Sequence, residues 1–178
     1  MQCAALDGEL VSLGEGFVSV DAPHTAFIRA ASLSPVVLDS RVIVSDRSAA
    51  WVWGWGAMPP TVSTCVSIAA RIPSPDRRRL RAREVVIADD ERVVLGDITV
   101  TSPERTLVDL ARHDGGRDLH DLLARGLRES RIDPDHLFGA LSGRTNLSFV
   151  RSARRRLISA MAEAGRDSEA TEAGQTSP

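Results

Sequence analysis

The sequence predicts an α+β fold in which a small antiparallel or mixed sheet, preceded by a β-hairpin, is followed by a C-terminal group of about four helices. Short β-branched runs separated by turn residues fill the first hundred positions. Beyond residue 101 the spacing of apolar residues changes from period two to the helical period, and no internal repeat is visible. A hydrophobic share of 43% in 178 residues is enough for a real core.

The first elements follow from local patterns. Residues 9–20 place apolar residues on both sides of a glycine-rich turn, which predicts the hairpin. A proline followed by apolar residues at helical spacing predicts a helix over 24–33. The β-branched run 42–44 predicts a strand, and Ser45 is placed to cap a helix that Gly54 or Gly56 then ends.

The middle of the chain predicts further strands around a basic loop. Residues 62–70 alternate well enough for a strand, and the two prolines and six arginines of 71–83 favour an exposed loop. Asp89 and Asp90 lie between two β-branched runs, which predicts a turn between strands rather than an acidic metal site. A third short strand is expected over 98–100.

The C-terminal part is predicted to be helical. Apolar spacing places the helices near 102–113, 116–130, 134–142 and 147–163. The remaining residues, 164–178, carry no apolar anchor, and we expect them to be disordered.

Composition excludes several functions. All 22 basic residues are arginine, so the chain lacks the lysine of a P-loop, a Schiff-base enzyme or the usual nuclease core. The four histidines, His24, His113, His120 and His136, show no metal-ligand spacing. Catalytic residues, a bound metal and a cofactor are therefore not expected. Without a signal peptide pattern or an apolar run of roughly 18 residues, we expect a cytoplasmic protein with reduced cysteines.

The stretch TSPERTLVDLAR, residues 101–112, is interpreted as a helix start rather than an active site. Thr101 and Glu104 fit a capping box, and Ser102 before Pro103 fits a serine cap with proline in the first turn. Arg105 and the residue four positions later, Asp109, can pair on one helix face.

Two arginine clusters and three tryptophans are candidates for partner or nucleic-acid binding, since clustered guanidinium groups bind carboxylates and phosphates. The tryptophans at 51, 53 and 55 alternate, so we assign Trp53 to the core and expect Trp51 or Trp55 to be an exposed anchor. The alternative for the arginines is a solvated surface. The candidate residues are Arg71, Arg77, Arg78, Arg79, Arg81, Arg83, Arg151, Arg154, Arg155, Trp51 and Trp55.

Three stretches together resemble the AbiEi family of antitoxins from type IV toxin-antitoxin systems, in its actinobacterial form. GELVSLGEGFVSV is similar to the wing of the family's winged helix, VIVSDRSAAWVWGW to a strand and helix of its second domain, and ITVTSPERTLVDLAR to its most specific signature. In that signature the matching residues are Thr101, Pro103, Arg105, Thr106 and Asp109. The resemblance implies a protein that is not an enzyme. It implies a DNA-binding repressor of its own operon that neutralises a nucleotidyltransferase-like toxin.

The chain departs from the family pattern at its N-terminus. Few residues precede the wing, so we expect a truncated winged helix without a recognition helix. Glu15 and Ser12 occupy positions where the wing is usually basic, which weakens phosphate contact. The resulting organisation is a remnant wing hairpin at 1–22, an antitoxin domain at 23–163 and the disordered tail. The alternative function is a nucleic-acid-binding transcriptional regulator that uses the arginine clusters.

Overall fold

The computed structural model of the chain describes residues 9–70, 82–142 and 147–175, with backbone alone for 147, 148 and 167–175. It confirms the predicted α+β class. The chain divides into two compact units, Met1–Ser102 and Pro103–Pro178, which we call the N-terminal and C-terminal units. The sequence predicts boundaries at other places, after residues 22 and 163, and these boundaries remain predictions.

The N-terminal unit contains a two-stranded hairpin, two helices and a five-stranded mixed sheet. The sheet order is β5-β4-β3-β7-β6, in which β3–β7 and β4–β5 are parallel and β3–β4 and β6–β7 are antiparallel. The elements are β1 (Leu10–Leu13), β2 (Gly16–Ser19), α1 (Ala26–Ala31), β3 (Val42–Val44), α2 (Asp46–Trp53), β4 (Thr64–Ser67), β5 (Arg83–Val85), β6 (Arg92–Leu95) and β7 (Ile98–Thr101).

The sheet is built around its most apolar strand. All three residues of β3 are buried, as expected for a central strand that is covered on both of its own faces. One apolar core joins the sheet to α1 and α2. Its members are Ala30, Leu33, Val37, Val42, Val44, Ala49, Trp51, Val52, Val66, Ile98 and Val100.

The predicted hairpin is present and packs onto this core. Leu13 pairs with Gly16 across a two-residue turn, and Gly14 takes the left-handed backbone conformation, with a φ of 57°. A Cβ atom at Gly14 would lie 2.5 Å from Oγ of Ser32 and 2.8 Å from Cη2 of Trp51. The hairpin is therefore part of the N-terminal unit, which accommodates its turn only with glycine at this position.

The described residues of the C-terminal unit form four helices, α3 (Pro103–His113), α4 (Leu119–Ser130), α5 (Pro134–Ser142) and α6 (Leu147–Gln175). Helix α6 packs against each of the other three. The starts and ends of α3, α4 and α5 agree with the sequence prediction to within three residues. None of the helices in the described part of the chain combines the length and the apolarity that crossing a bilayer requires.

The last helix is longer than the sequence predicted. Disorder was expected from residue 164, but the backbone is helical to Gln175. Ala164 is buried, so packing continues one residue past the predicted limit. Beyond it the sequence is rich in alanine and glutamate, which favour helix without needing an apolar face.

Candidate binding surface

The charged pair of residues 101–112 lies inside the protein. Nε of Arg105 donates a hydrogen bond to Oδ2 of Asp109 over 2.8 Å, and the two side chains are only 3% and 1% exposed. The predicted pair is therefore present, but on the buried side of α3 rather than on its surface. Thr101 and Thr106 are fully buried as well. Side chains this inaccessible hold the fold together and do not contact a partner in this conformation.

The start of α3 distinguishes between the two predicted caps. Pro103 is the first helical residue, so Ser102 occupies the cap position, as in the serine-proline alternative. Thr101 instead ends strand β7, where its carbonyl oxygen accepts a hydrogen bond from Nε1 of Trp53 over 3.0 Å.

The tryptophans are placed differently from the prediction. Trp51 and Trp55 are 6% and 2% exposed, whereas Trp53 is only half-buried, so the expectation of an exposed Trp51 or Trp55 is wrong. The reason is the left-handed conformation of Gly54 at the end of α2, with a φ of 91°. It reverses the chain so that the backbone N–H of Trp55 donates to the carbonyl of Ala50, which returns the Trp55 side chain to the interior.

The basic loop predicted at 71–83 is only partly described. Arg71, Arg77, Arg78, Arg79 and Arg81 lie outside the described residues. Arg83 lies in β5, and its Nη2 is 3.1 Å from Oδ1 of Asp46 at the start of α2. This contact links β5 to α2 within the N-terminal unit and occupies a guanidinium group that the sequence assigned to partner binding.

The second arginine cluster forms an exposed surface on α6. We call Arg151, Arg154, Arg155 and Ile158 the α6 arginine face, because offsets of three, four and seven residues place them on one side of a helix. All four are exposed, Ile158 to 51%. The guanidinium carbon of Arg154 lies 5.3 Å from the ring centre of Phe138 on α5, which restricts that side chain. The face combines positive charge with an exposed apolar side chain at its C-terminal end.

Arg156 points away from this face and has a structural role. Its Nη1 donates to the carbonyl oxygens of Ala111 and Asp114, over 2.8 and 2.9 Å. These carbonyls belong to the last turn of α3 and the residue just beyond it, where a cation compensates the helix dipole. Arg156 therefore ties α6 to the end of α3.

A cluster that the sequence analysis missed lies between α4 and α6. Nδ1 of His120 is 2.6 Å from Oε2 of Glu163, its Nε2 is 3.0 Å from Oγ of Ser159, and Asp121 lies beside them. About forty residues separate the two halves of the cluster, so histidine spacing gave no signal for it. Only the packing of α4 against α6 brings these side chains together.

Comparisons with known proteins cover most of this structure. The sequence model of the AbiEi antitoxin C-terminal domain matches residues 42–159, from β3 into α6. Among solved structures, the RV2827C protein from Mycobacterium tuberculosis is similar in fold, with 18% sequence identity and a TM-score of 0.54. That similarity covers 90% of this chain and 64% of the other, so this chain spans less than two thirds of its length. No curated protein gives a significant match.

Proposed function

The chain belongs to the family of AbiEi antitoxin C-terminal domains, and from that membership we propose that it is the antitoxin of a type IV toxin-antitoxin system. In this proposal it binds and neutralises a nucleotidyltransferase-like toxin and has no catalytic role of its own. The supporting observation is the match over residues 42–159, which includes the whole five-stranded sheet and helices α3, α4 and α5.

The α6 arginine face is the surface that best fits a protein partner. Arginine is enriched at interfaces because its planar guanidinium binds carboxylates through two parallel hydrogen bonds. Ile158 lies at the C-terminal end of the face, about one turn beyond Arg154 and Arg155, and would add apolar area to the contact. An acidic patch that borders an apolar area is the complementary surface expected on the toxin.

The rigidity of α6 is a second reason to assign partner binding to the α6 arginine face. Ala153, Leu157 and Ala160 on the opposite side of α6 are buried, so the helix is held in place by packing. Arg154 loses less side-chain freedom on binding than an unrestrained arginine because Phe138 already restricts it. The arginines of 71–81 remain predicted contacts.

The decisive experiment is rescue of growth. The product of the neighbouring gene is expressed in a host with and without the full 178-residue chain, and the two proteins are then tested for co-purification. The proposal expects the wild-type chain to restore growth and to co-purify with the toxin. If the wild-type chain neither restored growth nor co-purified with the toxin, the proposal would be wrong.

A charge-reversed chain tests the surface itself. Replacing Arg151 and Arg155 by glutamate should abolish rescue and co-purification, because the acidic patch on the toxin would then meet like charge. The matched control replaces Arg117 and Arg125, two exposed arginines outside this face, by glutamate, which changes the net charge by the same amount. Equal loss from the control would show that net charge, rather than this face, decides binding.

The second candidate function is DNA-binding regulation, which the three exposed arginines of the same face favour. Neutralising three phosphates would make the logarithm of the binding constant fall against the logarithm of salt concentration with a slope of about −2.7. Fluorescence anisotropy with duplex DNA from the operon measures that slope. A flat salt response, or an unchanged slope in the charge-reversed chain, would exclude this role for the face.

A further inference from the structure

Three side chains with metal-binding atoms come together on the C-terminal unit, outside the α6 arginine face. His120 and Asp121 lie in the first turn of α4, and Glu163 lies on α6. One ligand atom from each residue lies within 4.8 Å of the other two. The cluster therefore spans two helices, and nothing in the proposed antitoxin function requires it.

The imidazole ring of His120 is oriented as in many metal sites. Its Nε2 is 3.0 Å from Oγ of Ser159, and its Nδ1 is 2.6 Å from Oε2 of Glu163. A metal at Nδ1 requires the neutral tautomer with the proton on Nε2, in which Nε2 donates to Ser159 and Nδ1 directs its lone pair at the ion. Histidine ligands are usually fixed in this way, by a hydrogen bond from the nitrogen that does not bind the metal.

The distance between His120 and Glu163 is close to the one that a bound metal ion needs, with the ion replacing the proton between them. Without a metal, the Nδ1–H group of His120 donates a hydrogen bond to Oε2 of Glu163 over 2.6 Å. Two ligands of a tetrahedral zinc ion lie about 3.3 Å apart, given metal-ligand distances of about 2.0 Å. A change of less than about 1 Å at the end of the flexible Glu163 side chain would open the pair enough to accept the ion.

The ligand set indicates which ion fits. One imidazole nitrogen and two carboxylate oxygens suit zinc better than magnesium or calcium, which prefer oxygen ligands alone. We propose that His120, Asp121 and Glu163 bind one divalent transition-metal ion of the zinc class, completed by water, and that this ion clamps α4 to α6.

The same residues also follow the serine-histidine-carboxylate order of a hydrolase, but the backbone does not support that chemistry. Ser159 lies in the interior of α6, where backbone N–H groups are bonded to carbonyl oxygens four residues back. No backbone donor of that turn is therefore directed at a developing oxyanion. A hydrolase needs such donors, whereas a metal clamp does not.

Isothermal titration of zinc chloride into the full chain tests the proposal. We expect one zinc ion per chain and no response to magnesium chloride. His120→Ala and Glu163→Gln should abolish the binding, and Asp121→Asn should weaken it. Zinc should also raise the thermal unfolding midpoint of the wild type and leave that of Glu163→Gln unchanged, because an ion that binds only the folded state stabilises it.

His136→Ala is the matched control. His136 is 82% exposed and lies 3.6 Å from Glu104, outside the cluster, so zinc binding should survive its loss. Circular dichroism confirms that each variant is folded. Absence of zinc binding by the wild type, or binding that persists in both His120→Ala and Glu163→Gln, would overturn the proposal. Growth rescue by the antitoxin is measured separately, so failure here leaves the proposed function untouched.

Discussion

Removing one member of the buried ion pair should be among the most damaging single changes to the C-terminal unit. Arg105 and Asp109 are 3% and 1% exposed and their atoms are 2.8 Å apart. Asp109→Asn keeps the shape of the side chain and removes its charge. The guanidinium of Arg105, which remains charged at any accessible pH, then stays buried without its carboxylate.

The expected magnitude follows from the burial and the distance. Coulomb attraction over 2.8 Å is about 6 kcal/mol at an effective dielectric constant of about 20. Desolvation of the two ions costs several kcal/mol each, so the intact pair contributes little net stability. Loss of one partner removes the attraction but leaves the other ion desolvated. Asp109→Asn should therefore lower the free energy of unfolding by about 3–5 kcal/mol.

The measurement is urea unfolding followed by two signals. Ellipticity at 222 nm reports mainly the helical C-terminal unit. Tryptophan fluorescence reports the N-terminal unit, because Trp51, Trp53 and Trp55 all lie there. The urea concentration at the unfolding midpoint, followed by ellipticity, should be lower in Asp109→Asn than in the wild type. The m-value should stay the same if the unfolded state is unchanged.

Two further variants make the reasoning refutable. Asp89→Asn is the control, since Asp89 is 91% exposed and pairs with Arg92 on the surface, and it should leave the midpoint unchanged. Replacing Arg105 by methionine and Asp109 by leucine together should restore most of the lost stability, because no buried charge remains. A cost of less than about 1 kcal/mol for Asp109→Asn would refute the argument.

Three other outcomes are expected. Hydrogen bonds from Arg41 hold the pKa of Asp39 at about 2, below the usual 3.8 of an aspartate, so this carboxylate stabilises the fold above pH 3.8 and the contribution is lost as the pH falls toward 2. In Arg41→Ala, the midpoint followed by NMR should return toward 3.8. Arg156→Ala should cost about 1–3 kcal/mol in urea unfolding, because two carbonyl oxygens near the end of α3 lose a charged donor. Gly14→Ala should cost at least about 1–2 kcal/mol for the left-handed backbone alone, measured by tryptophan fluorescence.

Matched variants isolate the last two effects. Arg155→Ala removes an exposed arginine next to Arg156 and should leave the unfolding midpoint unchanged. Gly139→Ala lies in α5, where nothing would contact the added Cβ, and should stabilise the protein by about 0.5–1 kcal/mol. If Arg155→Ala cost as much as Arg156→Ala, or if Gly14→Ala had no effect, the corresponding structural argument would be wrong.

The sequence predicted features that depend on neighbours along the chain. The hairpin turn, the helix start at Pro103 and the end of α2 at Gly54 were all visible, because glycine and proline restrict the backbone by themselves. The Arg105–Asp109 pair was visible too, since four residues make one helical turn. Its burial was not, because the side of a helix that becomes covered depends on elements far away in sequence.

Features that depend on tertiary packing were missed for the same reason. The tryptophan spacing of two suggested an exposed residue, but a single left-handed glycine returned Trp55 to the interior. The cluster around His120 depends on two helices whose relevant residues are some forty positions apart. Arg155 and Arg156 are neighbours on α6, yet Arg155 is exposed and Arg156 donates to the end of α3. The sequence alone does not separate these two roles.

The sheet order has a consequence for synthesis on the ribosome. Strand β3 pairs with β7, so Ile43 lies opposite Thr99, more than fifty residues later in the chain. Until β7 has left the exit tunnel, one edge of β3 has no partner strand, and its valines have only part of their final cover. Folding of this unit must therefore wait for distant contacts, whereas α3 to α6 form from local ones as they are translated. The growing chain thus exposes an aggregation-prone strand edge during the time in which chaperones can bind it.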